Sequence, residues 1–98
     1  MEITKKLEGT ALVVSLEGRL DTNTAPQLEA ELKTSLNDVT DLTFDFEKLE
    51  YISSAGLRVL LSAQKVMNKQ GTMVVINAID EIKEVFEITG FCDILTIK

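Results

Sequence analysis

The residues best placed to do chemistry are two adjacent serines, Ser53 and Ser54. Ahead of them, Leu42 to Phe46 alternates apolar and polar residues as a half-buried strand does. After them the apolar residues change to helical spacing at Leu57, Leu60 and Leu61, with Val59, Ala63, Val66 and Met67 widening the stripe. The serines therefore stand where a strand hands over to a helix, and either can be its N-cap. Ala55 and Gly56 leave the first turn uncrowded. First-turn N–H groups have no intrahelical partner, and the helix dipole adds partial positive charge there. A hydroxyl exposed at that point accepts a phosphate well. The plainer role is capping, worth about 1 kcal/mol. Local physics alone favours the cap.

The elements that position this turn can be read in order. Ile3 to Leu7 and Ala11 to Leu16 form a hairpin turned at Glu8, Gly9 and Thr10. The second strand is nearly continuous in apolar residues, which places it inside a sheet. Gly18, Arg19, Leu20 and Asp21 lead into a polar loop, Thr22, Asn23 and Thr24. A helix follows, with Thr24 and Gln27 at capping-box spacing and Pro26 in the first turn. Its stripe is Ala25, Leu28, Leu32 and Leu36, and Asn37 and Asp38 end it. Asp41 to Phe46 is the next strand, and Glu47 to Glu50 reads as a polar bend. The helix after Ser54 runs to about Gln70, with Gly71 placed for a left-handed C′ residue. Met73 to Ile76 is a short apolar strand. Asn77 or Asp80 can cap a last helix with the stripe Ile79, Ile82, Val85, Phe86 and Ile88. Gly90 stops that helix with Phe91 as hydrophobic partner, and Asp93 to Ile97 offers a final edge strand.

The order ββαβαβα(β) predicts an α/β fold: a mixed sheet of four to five strands, with about three helices packed mainly on one face. Ninety-eight residues make a single domain, 1–98. Apolar residues are 45% and charged residues 27%, which is globular rather than disordered.

Composition excludes several functions. There is no His, which removes Ser-His-Asp and Cys-His nucleophiles, His-based metal sites and a phosphohistidine carrier. Cys92 is alone, so no intramolecular disulfide forms, and it reads as a small buried hydrophobe. No loop clusters carboxylates at metal-ligand spacing. The net charge of −6 argues against nucleic acid. No segment has the length of a membrane span, and the N-terminus lacks a signal peptide's apolar core. The expectation is a cytoplasmic protein-binding module that is not an enzyme, needs no cofactor and does not insert in a membrane.

Three blocks of residues, taken together, resemble the STAS domain, named for sulphate transporters and anti-sigma factor antagonists. Ile52 to Leu61 matches its signature; Gly18 to Ala25, and Met73 through Phe86 to Thr89, Gly90 and Phe91, agree in order and spacing. The likeness covers essentially the whole chain, whose length is like that of a free-standing bacterial antagonist.

The resemblance implies a partner-switching function. In that family the unphosphorylated antagonist captures an anti-sigma factor that is also a serine kinase, which frees the sigma factor for transcription. Phosphorylation of one serine at the helix start breaks the complex, and a serine phosphatase restores it. Aligned on Gly56 and Leu57, the family's phosphorylated serine falls on Ser54. Ser53 stands where well-known antagonists carry Asp, which makes it a second candidate for phosphorylation. Ala55 stands where they carry Ser or Thr, and Arg58 replaces a frequent Gly. By the same match, Asp21 to Thr24 belong to a loop used at the partner surface, together with Ser53, Ser54, Gly56 and Arg58. Asp21 has an alternative reading as a turn-forming residue before a helix.

One charge feature stands apart from the resemblance. From Tyr51 to Ile79 there is no acidic residue, only Arg58, Lys65 and Lys69. The two lysines suit the C-terminal part of their helix; a cation near an N-terminus, as Arg58 is, does not. Arg58 follows Ser54 by four residues and is placed to face a phosphate or an acidic partner patch. The alternative function is a structural STAS subunit of a larger complex, such as a lipid-transport ATPase, in which Ser54 is never modified. Nucleotide binding or hydrolysis is disfavoured, since neither a Gly-rich phosphate loop nor a catalytic base is present.

Overall fold

The computed structural model describes residues 1–98. Strands β1 (Glu2–Glu8) and β2 (Ala11–Leu20) form an antiparallel hairpin; α1 (Ala25–Ser35) leads to β3 (Asp41–Ile52). Helix α2 (Ser54–Gln70), β4 (Thr72–Ile76) and α3 (Asp80–Thr89) follow, then a 3-10 turn at Phe91–Asp93 and a short β5 (Thr96–Ile97).

The five strands lie side by side in chain order, and β2 to β5 are parallel. Each of the three crossovers steps to the next strand in the same direction. Right-handed connections then put all three helices on one face. The core lies between that face and the helices: Val14, Leu16, Phe44, Phe46 and Val75 from the sheet, Leu28, Leu60, Met67 and Phe86 from the helices. Their neighbours on the other face, such as Val13, Thr43 and Val74, are only half-buried. The α/β architecture expected from the element order is therefore present, with five strands. No helix is long and apolar enough to cross a membrane.

Residues Glu47–Glu50 are not a bend: β3 continues through them to Ile52. Two register shifts against β2 make this possible, each adding one residue to β3. Inward residues thus run Leu42, Phe44, Phe46 and then, at intervals of three, Leu49 and Ile52, all buried. The bulges break the alternation that marks a strand in the sequence. Strand β2 likewise continues beyond Leu16 to Leu20.

Other local expectations also change. Gly71 is not left-handed, with φ 171°. It is a glycine because a Cβ there would collide with the Thr40 carbonyl, whose oxygen accepts the Thr72 N–H at 2.8 Å. Neither Asn77 nor Asp80 caps α3; Ile79 holds that position, and Asn77 adopts φ 59° and bonds to Asp45. Gly90 is left-handed as expected, and Phe91 packs on the core. Ile88 is 77% exposed, off the buried stripe. Cys92 is exposed rather than buried; it lies in the 3-10 turn, which buries none of its three residues.

Candidate functional site

The site is built at the C-terminal ends of two parallel strands. Leu20 of β2 and Ile52 of β3 are register partners, and the Ser53 N–H donates to the Leu20 carbonyl at 2.9 Å. The loop after β2 and the turn after β3 therefore emerge side by side on the same edge of the sheet.

At the β3–α2 turn the two serines take different roles. Ser53 is extended (φ −98°, ψ 175°), and its Oγ accepts the Gly56 N–H at 3.3 Å. Its carbonyl accepts the Leu57 N–H at 2.9 Å. Ser53 is thus the cap. Ser54 is the first helical residue; its side chain is exposed and takes no part in capping. It begins a 17-residue helix whose first turn holds no acidic residue.

Gly56 is buried, and its place is set by contact. A Cβ at residue 56 would lie 2.7 Å from Leu20 Cγ and 2.9 Å from Ile52 Cγ1. The missing side chain lets the first turn of α2 sit directly on the ends of β2 and β3. Gly56 therefore positions the serines and offers no side chain of its own.

The loop from Asp21 to Thr24 is held by mutual hydrogen bonds. The Asp21 carboxylate accepts the N–H groups of Asn23 at 2.9 Å and Thr24 at 3.1 Å. Thr24 Oγ1 accepts the Asp21 N–H at 2.8 Å and donates to the Arg19 carbonyl at 2.8 Å. Thr24 holds the N-cap position of α1, but its side chain bonds backward into the loop, so the capping box with Gln27 does not form. The Thr24 N–H and the Asn23 N–H hold the Asp21 carboxyl below its ordinary value of 3.8, with a further contribution from Arg19 and only partial opposition from burial. Asp21 is a turn-forming residue by geometry, and this fixes Thr22 and Asn23 as the exposed tip of the loop.

Arg58 is exposed one turn after Ser54. It lines a shallow recess with Thr22, Pro26, Glu29 and Ala55, so the two loops meet there. Asp21, Thr22, Asn23, Thr24, Ser53, Ser54, Gly56 and Arg58 thus belong to one edge of the molecule.

The sequence reading missed a pair. The Arg19 guanidinium carbon lies 4.1 Å from the centre of the Tyr51 ring, a cation–π contact, and Arg19 Nε is 3.9 Å from Asp21. Both side chains are substantially exposed and lie beside the turn. The signal was present: Leu20 and Ile52 point inward, so Arg19 and Tyr51 point outward, but their pairing depends on the second bulge of β3. No group of three or more His, Cys, Asp or Glu residues is arranged to hold a metal.

The STAS domain family model matches residues 2–98. The Bordetella bronchiseptica protein BtrV, which carries the name of an anti-sigma factor antagonist, is 39% identical over 94 residues, covering 94% of this chain and 80% of its own. The anti-sigma-B factor antagonist of Staphylococcus aureus is 31% identical over 87 residues, 87% of this chain and 81% of its own. Among solved structures, the anti-sigma factor antagonist SpoIIAA is similar in its unphosphorylated and phosphorylated forms, with TM-scores of 0.78 and 0.77. Each covers 99% of this chain, and 87% and 91% of its own, at 20% and 21% identity. That likeness concerns the fold.

Proposed function

The chain belongs to the STAS domain family, and from that premise we propose that it is an anti-sigma factor antagonist switched by phosphorylation of Ser54. Unphosphorylated, it binds an anti-sigma factor that is also a serine kinase, through the loop from Asp21 to Thr24 and the turn from Ser53 to Arg58. Phosphorylated, it releases that partner until a serine phosphatase removes the phosphate. The exchange takes place in the cytoplasm, and the protein acts by binding rather than by catalysis. The single observation that carries this reading is the free, exposed Ser54 hydroxyl at a helix start where Ser53 already supplies the cap.

The physical basis of the switch is asymmetric. Within the protein, a phosphate on Ser54 adds about −1.5 to −2 charge at neutral pH, beside a helix N-terminus and one turn from Arg58. Both tolerate it, so the fold changes little. Across an interface, a partner site built around a neutral hydroxyl must desolvate a dianion, and such charge left unpaired costs several kcal/mol. About 3 kcal/mol is already more than a hundredfold in affinity.

The test uses the partner that co-purifies with the Ser54→Ala variant from the native host, identified by mass spectrometry and purified alone. Ser54→Ala is expected to bind it and stay bound in the presence of ATP, and Ser54→Asp to lose at least about a hundredfold in affinity. Wild type and Ser53→Ala should both become phosphorylated, with the phosphate mapped to Ser54. Phosphate on Ser53 alone moves the switch by one residue. Phosphate on neither, with the partner bound throughout, favours a permanent structural subunit instead.

A further inference from the structure

Away from the switch turn, a groove with a mainly apolar lining lies between α1 and α2. Leu32 and Leu36 line it from α1, and Val59, Ala63 and Val66 from α2. It encloses about 250 Å³, and Val66 is 41% exposed along it. The groove shares Glu29, Val59 and Ser62 with the recess that holds Thr22 and Arg58. An apolar trough therefore runs along α2 from Val59 to Val66 and adjoins the more polar recess at the proposed switch surface.

Charge beside the trough has one sign. Ser54, Arg58, Lys65 and Lys69 are exposed at helical spacing on one face of α2, which contains no acidic residue. None of these three cations forms an ion pair, whereas Lys5, Lys6, Arg19, Lys33 and Lys48 all do. On the α1 side, Glu29 and Lys33 neutralise each other at 3.6 Å. The molecule as a whole carries −6, so an acidic partner is repelled from most of its surface. This face instead offers three unpaired cations together, the other two unpaired lysines, Lys83 and Lys98, lying in α3 and after β5.

We infer that the α1–α2 groove is a second docking site for the anti-sigma factor and takes an acidic amphipathic helix of that partner. Apolar side chains of the helix fill the trough between Val59 and Val66, while its carboxylates lie along Arg58, Lys65 and Lys69. Helices recognised in this way present apolar anchors at i, i+3, i+4 and i+7 to a groove. The inference rests on the proposed function. It adds that part of the affinity lies beyond the reach of the phosphate, on the length of α2.

Calorimetry with the purified anti-sigma factor tests it, using wild type, Val66→Glu, the pair Lys65→Glu with Lys69→Glu, and Ser54→Asp. Val66→Glu places a charge in the trough at an exposed position, so the fold should persist, with an unchanged melting temperature. Its Kd is expected to rise at least about tenfold. The lysine pair should weaken binding strongly at low salt and much less at high salt, as screening removes the lost attraction. Should Val66→Glu prove unstable, the lysine pair still decides the matter. If Val66→Glu and the lysine pair bind as wild type does while Ser54→Asp does not bind, the groove is idle and the switch stands. If Ser54→Asp also binds as wild type does, both readings fall. A wild-type dimer in sedimentation that Val66→Glu converts to monomer, with anti-sigma affinity unchanged, assigns the groove to a second copy of this chain and overturns the inference.

Discussion

The Gly56 N–H donates to the Ser53 hydroxyl oxygen at 3.3 Å. That one bond divides the labour of two adjacent serines: the first is tied to the backbone of its own helix, and the second, Ser54, is left exposed. Ser53→Ala is accordingly expected to lose a cap, about 1 kcal/mol. In a domain of this size that lowers the melting temperature by about 4–8 °C. Ser54→Ala should stay within about 0.5 kcal/mol of wild type. Thermal unfolding of the two variants checks the assignment; the reverse order would make Ser54 the cap.

Gly56→Ala sets two effects against each other. Alanine favours a helix over glycine by roughly 1 kcal/mol. Its Cβ, however, meets Leu20 and Ile52, both buried, at 2.7 and 2.9 Å. Overpacking of that kind costs about 1–3 kcal/mol. Net destabilisation is expected in urea unfolding, and a gain in stability would show that the helix start can lift off the sheet without cost.

Asp21 ties the loop to solution pH. Its carboxyl titrates below the ordinary 3.8 because the charged form accepts hydrogen bonds from Thr24 and Asn23. A lowered folded-state value means the stabilisation is complete above the unfolded value and lost as pH falls through the folded one. Wild type should therefore melt higher than Asp21→Ala near neutrality, with the gap closing as pH drops below 3.8. A gap that persists unchanged in acid would mean the carboxylate charge contributes nothing to the loop.

Leu60 reports on the packing of α2. It is fully buried between the helix and the sheet. Leu60→Ala should cost about 2–5 kcal/mol. Ile88→Ala, at a site 77% exposed, should change stability by under about 0.5 kcal/mol. Denaturant unfolding of the pair separates a core stripe from an apolar residue that merely shares its spacing.

Much of this was legible in the chain. Helix α2 begins at Ser54 and ends at Gln70 as its apolar spacing and flanking residues predict. Leu28, Leu32, Leu57, Leu60 and Phe86 are buried where their stripes place them. Such patterns are local: 3.6 residues per turn sorts side chains onto faces before any other element is present. The residues of the candidate site were named from the same local cues and from the STAS resemblance. Their adjacency followed from two strands that run parallel and end together.

Other features depended on what each segment packs against. Glu47 to Glu50 belong to a strand because two bulges, each set by the register against β2, return Leu49 and Ile52 to the core. Gly71 is required by the Thr40 carbonyl, a residue 31 positions away, and not by its own helix end. Val74, in an apolar strand, is only half-buried because no layer covers that face of the sheet, whereas Val75 beside it is fully buried. Ser53 and Ser54 are the same residue type at consecutive positions. Which one caps was decided by the Leu20 carbonyl, which holds the Ser53 N–H and so sets the extended backbone from which its hydroxyl reaches Gly56. Periodicity records which way a side chain points; hydrogen-bond choice and close approach exist only once two distant segments share a boundary.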